Sequence, residues 1–324
     1  MTTTQKFSEK PTDKFSSWEN AQPPAGWFKA PLHSSEAAFY QDHGFLVLDQ
    51  VLDSEETAAI CQESARICRN VDGKVEGIEP APSHLSDDAV MQRTLCIHFP
   101  HKLSPLMHSL LAHPRIVQAL TSTIGPNVKC MQSMLFFKSA GKPGQAWHQD
   151  EDYIPTRDRS LLGAWIALDD ATVENGCLWI IPGSHKPGVL WKQEWHGNRS
   201  FDCALESRGF PYTADDEVPV EVKRGSVVLF NGYTLHRSLP NRAKAGYRRA
   251  LVNHYMSAES FLPWRYQEKT PMAMQDYRDI VIVAGEDPYA WKGIDNTIAK
   301  AFVRPAGEGG CTDWISKQPL AYAD

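Results

Sequence analysis

From about Val128 onward the chain breaks into short β-rich runs, at 128–138, 145–153, 161–169, 177–181, 219–223, 226–230 and 248–256, separated by Gly, Pro, Asn and Asp. Many short strands with such punctuation point to a sandwich or a barrel rather than to βαβ units. The count fits a double-sheet jelly roll, a mainly β, cupin-like core with helices beside it.

Ahead of the strands the texture is helical. Ser34, Ser35 and Glu36 suit the start of a short helix through Tyr40, and the run from Phe45 to Asp49 reads as a strand. Asp53 to Glu56 caps a helix running to about Arg69, and helical patterns return at 103–112 and 114–124, the second ended by Gly125-Pro126. The segment 70–90 is polar and rich in breakers, so it reads as a loop able to overhang a site. Residues 1–32, rich in Ser, Thr, Lys and Pro, read as an extended or poorly ordered arm. Residues 33–324 then form one domain: a helical part over 33–126, a jelly-roll core over about 127–256, and a C-terminal extension over 257–324. The core carries an insert at 184–218 with Trp191, Trp195, His196, Phe201 and Phe210. An insert of that length in a barrel is commonly a lid. The extension holds Trp264, Tyr266, Trp291 and Trp314 but no motif that converts into chemistry.

Bulk properties narrow the function. Ten tryptophans in 324 residues and moderate charge indicate a folded protein with a sizeable core. A formal net charge of −6 argues against a nucleic-acid or anionic-membrane partner. No apolar run reaches the length of a membrane span, and the polar start is no signal peptide. The seven cysteines form no CxxC pair, and Cys61 and Cys68 read as two buried small side chains on one helix. A reducing, cytoplasmic setting is the expectation.

The chemistry begins at Trp147-His148-Gln149-Asp150. In extended backbone side chains alternate faces, so His148 and Asp150 point one way and Gln149 the other. An imidazole nitrogen beside a carboxylate oxygen makes two corners of a mixed N/O metal site. Asp152 shares their parity and is a rival ligand; Glu151 faces away. A third corner comes from His236, delivered by the bend at Asn231-Gly232 after the buried strand 227–230. Two histidines and a carboxylate on one face of an octahedron leave three positions open, the arrangement of non-haem Fe(II) oxygenases. Twelve residues after His236, Arg248 and Arg249 enter another strand. A buried arginine needs a carboxylate, and a dicarboxylate co-substrate supplies one; an ordinary salt bridge at a strand end is the other reading of either arginine. His98 and His101, flanking Pro100, read as plain surface, and Gly309-Gly310 is too short to cradle a phosphate.

The ordered set of HxD, Asn175-Gly176-Cys177-Leu178, the run Ile181 to His185, Arg224-Gly225-Ser226, His236 and Arg248-x-Ala250 resembles the phytanoyl-CoA dioxygenase family, over roughly residues 36 to 256. The resemblance implies an Fe(II)- and 2-oxoglutarate-dependent oxygenase (EC 1.14.11.-) on a double-stranded β-helix. It implies metal ligands His148, Asp150 and His236, and Arg248 on the distal carboxylate of 2-oxoglutarate. Arg249 is the alternative, because the gap from His236 is about one residue longer than the family's. Gln132 and Trp165 match positions that line the co-substrate pocket in relatives, and Thr234 is a further such position. Relatives that halogenate lack the metal carboxylate; Asp150 is present, so hydroxylation with release of succinate and CO2 is expected. Arg237, where the family commonly has a small residue, either reaches a substrate anion or faces water. The expected partners are O2 and a small, polar or zwitterionic metabolite, bound by a monomer or homodimer, with no nucleic acid and no membrane. The competing reading is a jelly roll that keeps the metal but works as a binding or sensing module.

Overall fold

The computed structural model describes residues 32–156, 158–202, 204–260 and 278–305. The arm expected over 1–32 thus lies outside the described residues except for Leu32, as do Trp264, Tyr266, Trp314 and Gly309-Gly310. The helical part comprises α1 (Ser34–His43), β1 (Phe45–Leu48), α2 (Ser54–Arg69), α3 (Asp87–Gln92), β2 (Thr94–His98), α4 (Pro105–Ser109) and α5 (Pro114–Thr123). The core follows with β3 (Val128–Ser139), β4 (Gln145–His148), α6 (Asp150–Tyr153), β5 (Leu162–Ala167) and β6 (Leu178–Ile180). Two-residue strands β7 (Gln193–Glu194) and β8 (Glu206–Ser207) lie in the insert. Next come β9 (Val218–Val220), β10 (Val227–Asn231), β11 (His236–Ser238) and β12 (Tyr247–Ser257). The chain described closes with β13 (Val281–Ala284) and β14 (Phe302–Pro305).

Among the described residues these strands make two main antiparallel sheets and, in the insert, the two-stranded pair β7-β8. The larger runs β1-β10-β5-β12-β3-β2-β14, with β13 also on β3; the smaller runs β4-β11-β6-β9. Period-two alternation explains the layers. On β10, Val227 and Leu229 join the core under the helices, with Ile60, Leu111, Ile116 and Leu120. The intervening Val228 and Phe230 face the smaller sheet and join Trp165, Leu178, Ile180 and Val252. One residue of register slip would exchange the two cores. Where α2 begins, Asp53 accepts from the amides of Glu55 and Glu56 while Glu56 reaches back to the Asp53 amide, the reciprocal cap legible in the sequence.

Several expectations need correcting. The run 145–153 is not one strand: β4 stops at His148 and α6 begins at Asp150. The segment 70–90 does not overhang the central cavity, none of whose lining residues comes from it. Instead Asn70 ties it down through Val75 and Ile78, and Glu76 bridges to Phe302. β2 was hidden because its residues are buried on both faces and show no alternation. His98 and His101 are consequently not surface residues: His98 stacks on Phe302 at 4.2 Å and His101 Nδ1 pairs with Ser133 Oγ at 2.6 Å.

Buried imidazoles make stability pH-dependent. Burial pushes His101 down to about 3 and His113 to about 4, and lowers His98 as well. These rings fold neutral, so stability is complete above the unfolded histidine value near 6.5 and falls as pH drops from there toward the folded values. His101 and His113 should each cost about 2 kcal/mol by pH 5, and His98 adds in the same direction. Urea unfolding should show a clearly lower midpoint at pH 5 than at pH 7; equal midpoints would show that the rings protonate freely in the folded chain.

Candidate active site

The site is built where the two sheets face each other. β4 and β11 are hydrogen-bonded neighbours, and their register places His236 opposite His148. The imidazole centroids are 4.1 Å apart. Each ring's Nδ1 is turned to its own strand, His148 to the Ala146 carbonyl at 2.8 Å and His236 to the Thr234 carbonyl at 3.0 Å. Because a carbonyl only accepts, both Nδ1 atoms carry the proton and both Nε2 atoms present bare lone pairs. Asp150 Oδ1 lies 3.6 Å from each Nε2. Extended backbone at Gln149 keeps the expected facing even though α6 starts at Asp150. Burial, then His236, pushes His148 down to about 3, so it is neutral near pH 7. Burial alone would raise Asp150, but the imidazoles of His236 and His254 hold it well below the usual carboxylate range.

The three donor atoms lie within 4.8 Å of one another. Two imidazoles with their Nε2 atoms turned inward and an ionised carboxylate, converging from one side, are the donor set of a non-haem iron centre. Asp152 is exposed and takes no part. Glu151 faces away and is buried; its carboxylate accepts from the Thr156 amide and hydroxyl, and burial pushes it up to about 7. Gln149, the residue between the two ligands, points outward. Its amide donates to the Val189 and Tyr233 carbonyls and its oxygen accepts from the Trp191 amide, so it clamps the insert to the metal loop. Phe230 packs its ring 4.5 Å from that of His236, and this close approach requires Gly163, where a Cβ would meet the Phe230 ring at 2.6 Å.

The cavity beside these ligands is lined by Trp165, Arg248, Lys138, Ser238, Asp202 and His254, among others. Arg248 is buried on β12, its Nε donating to the Gly176 carbonyl at 3.1 Å and its guanidinium 5.4 Å from the Trp165 ring. No carboxylate among the described residues pairs with it, and burial pulls it down to about 10. Arg249 points the other way, held by Asp169 through bonds of 2.9 and 2.7 Å. Lys138 sits opposite Arg248 in the sheet register and donates to Ser238 Oγ and the Leu239 carbonyl, both at 2.8 Å. Burial and the neighbouring Arg248 push it well below the usual lysine range.

Other expected residues land elsewhere. Gln132 is buried in β3 opposite His254 and does not line the cavity. Thr234 is buried too; its hydroxyl donates to the Gly44 carbonyl at 2.9 Å. Arg237 does line the cavity, partly buried, where it pairs with Glu217 and lies over the Trp147 ring at 4.7 Å. The insert packs Trp191, Phe210 and Tyr212 against Trp147, Ile181 and Leu235, and sends Asp202 into the cavity, where Arg304 of β14 meets it at 2.9 Å. Sequence reasoning missed His254, Lys138, Ser238 and Asp202. For His254 a signal existed, since it shares the parity of Arg248 on one strand, three alternations along.

Fold and donor set together define an iron-dependent oxygenase of the double-stranded β-helix class. The model of the phytanoyl-CoA dioxygenase (PhyH) family matches residues 40–250. Phytanoyl-CoA dioxygenase 1 of Oryza sativa subsp. japonica is 29% identical over 266 residues, 73% of this chain and 92% of that protein. Phytanoyl-CoA dioxygenase of Arabidopsis thaliana is 38% identical over 149 residues, 44% of this chain, and the match spans only 50% of its length. Among solved structures, EctD from S. alaskensis with bound Fe has the same fold, with a TM-score of 0.59 at 20% identity over 79% of this chain and 88% of that one. The chain belongs to the phytanoyl-CoA dioxygenase family. It is a 2-oxoglutarate-dependent dioxygenase whose cofactors are iron and 2-oxoglutarate, with O2 and a small molecule as the remaining reactants. No helix among the described residues is long and apolar enough to cross a membrane.

Proposed function

We propose that the chain hydroxylates a C–H bond of a small polar metabolite. In this reading His148, Asp150 and His236 hold Fe(II), and Arg248 takes the distal carboxylate of 2-oxoglutarate above the Trp165 ring. The observation that carries it is Arg248 itself, a buried guanidinium on the cavity wall that has no carboxylate partner among the described residues. Such a charge is costly unless a ligand meets it, and its planar fork suits a carboxylate. Lys138 adds a second buried hydrogen-bond donor on the same wall. Bound iron and 2-oxoglutarate supply the oxidation, with succinate and CO2 released. The protein's own groups fix donor geometry, grip the co-substrate and exclude water. Thr234 serves here through its carbonyl, which fixes the tautomer of His236, and Gln132 through its place behind His254.

For the substrate, the cavity wall joins apolar Leu95, Met134, Phe136 and Val252 to polar Gln145 and Asp202. That mixture supports a small molecule with both apolar and polar groups. The Asp202–Arg304 ion pair links the insert to β14 beside the cavity, which supports a closing role for the insert. The described cysteines 61, 68, 96, 130 and 177 are all free thiols, in keeping with a reducing compartment such as the cytoplasm.

An anaerobic titration tests the reading. Adding 2-oxoglutarate to the Fe(II)-loaded chain should produce a weak visible charge-transfer band, and His236→Ala should abolish it. Iron binding without the band would remove co-substrate chelation and put the binding or sensing module in first place.

A further inference from the structure

We propose that His254 is a positioning residue that reserves one oxygen of the metal carboxylate, so that Asp150 offers the metal a single donor atom. The inference rests on the reading of His148, Asp150 and His236 as the iron ligands.

The geometry divides the work of the Asp150 carboxylate between its two oxygens. Oδ1 faces both ligand imidazoles at 3.6 Å, and Oδ2 is 3.0 Å from His254 Nε2. An ionised carboxylate can only accept, so the ring must place its proton on Nε2. His254 Nδ1 is buried without a hydrogen-bond partner among the described residues, so no other group holds the ring's second nitrogen. The ring therefore has one polar contact, and that contact is the carboxylate.

Its placement is built into the sheet. His254 lies on β12 between Gly163 of β5 and Gln132 of β3, at the point where the β12–β3 register shifts. A bulge is a common device for re-aiming a side chain at a site. The same face of β12 carries Arg248, Val252 and His254 into the cavity, so one strand sets both the co-substrate grip and the carboxylate's orientation.

The consequence is a count of coordination positions. Two histidines and a one-atom carboxylate leave three open on an octahedral ion, two for a chelating keto acid and one for O2. A carboxylate binding through both oxygens would consume one of these. The hydrogen bond to Oδ2 prevents this and also raises the affinity of the site by holding Asp150 in its ligating rotamer.

Three substitutions test the idea through Fe(II) affinity measured anaerobically. In His254→Gln the amide nitrogen stands where Nε2 stood and keeps the donor. In His254→Asn the amide stands near the Nδ1 position and cannot reach Asp150, and in His254→Phe volume is kept without a donor. We expect Fe(II) binding roughly 10- to 100-fold weaker in the Asn and Phe variants. In His254→Gln it should return to within about threefold of wild type, the span of context dependence expected when the donor is kept. Metal-free melting curves identify any variant that does not fold, and the remaining variants then decide. Asn or Phe variants that bind iron within about twofold of wild type would overturn the proposal, as would a folded Gln variant as weak as they are. If the wild-type chain itself fails to bind Fe(II), the metal-site reading falls, and this proposal with it; normal wild-type binding with no loss in the variants removes this proposal alone.

Discussion

Asp150→Ala should abolish 2-oxoglutarate turnover, with a loss exceeding the roughly 10- to 100-fold typical of residues that merely support a metal ligand. The substitution removes the carboxylate on which three imidazoles converge: His148 and His236 at Oδ1 and His254 at Oδ2. Without it the remaining donors are two imidazole nitrogens, too few to hold iron in a defined orientation. Asp150→Asn should fail as well, for a different reason: its oxygen would accept from His254 and turn the amide NH2, a donor, toward the ligand histidines. Asp150→Ala should also cost some stability in the metal-free chain, because the imidazoles favour the ionised carboxylate despite its burial and the substitution leaves the buried His254 Nε2 without its acceptor. Succinate release, Fe(II) binding and thermal melting measured together check this. Turnover above a tenth of wild type in Asp150→Ala would sink the assignment of Asp150 as a ligand.

What could be read from the sequence divides along physical lines. α2 was legible to the residue, because Asp53 and Glu56 form a cap whose chemistry is local. The strands of the core were legible where alternation and punctuation coincide, as in β10, where Val228 and Phe230 face one core and Val227 and Leu229 the other. β2, buried on both faces, offered no alternation, and β13 and β14 join the sheet through pairings distant in sequence. His148 and His236 stood out on neighbouring strands joined through one bend, and Asp150 kept the period-two facing because Gln149 is extended although α6 begins at Asp150. Lys138 and Asp202 did not. A lysine ordinarily belongs at a surface, and only the register opposite Arg248 buries Lys138; Asp202 reaches the cavity only because the insert folds back onto Gly144. Arg237 read as reaching a substrate anion or facing water because its partner Glu217 lies twenty residues back on a segment with no periodicity to place it.

Arg248 and Arg249, adjacent in sequence and indistinguishable by composition, should give opposite results when each is replaced by alanine. Strand alternation sends them to opposite faces of β12: Arg248 into the cavity beside Trp165, Arg249 into the paired fork of Asp169. Truncating one partner of a buried, hydrogen-bonded charge pair costs about 2 to 5 kcal/mol, and each 1.4 kcal/mol is tenfold. Arg248→Ala should therefore raise the 2-oxoglutarate concentration needed for half-maximal turnover by roughly thirtyfold to a few thousandfold, with little loss of thermal stability. Arg248→Lys should recover only part of this, since an ammonium keeps the charge but not the planar fork. Arg249→Ala should leave the 2-oxoglutarate requirement near wild type and instead destabilise the fold by about 2 kcal/mol, having stripped Asp169 of its charged donors. Steady-state kinetics against 2-oxoglutarate, paired with urea unfolding, separates the two residues. A raised 2-oxoglutarate requirement in Arg249→Ala and an unchanged one in Arg248→Ala would mean that the co-substrate is held from the Asp169 side of the strand. The cavity lined by Arg248 would then have to serve the primary substrate alone, and a buried guanidinium there would mark that substrate as the anion.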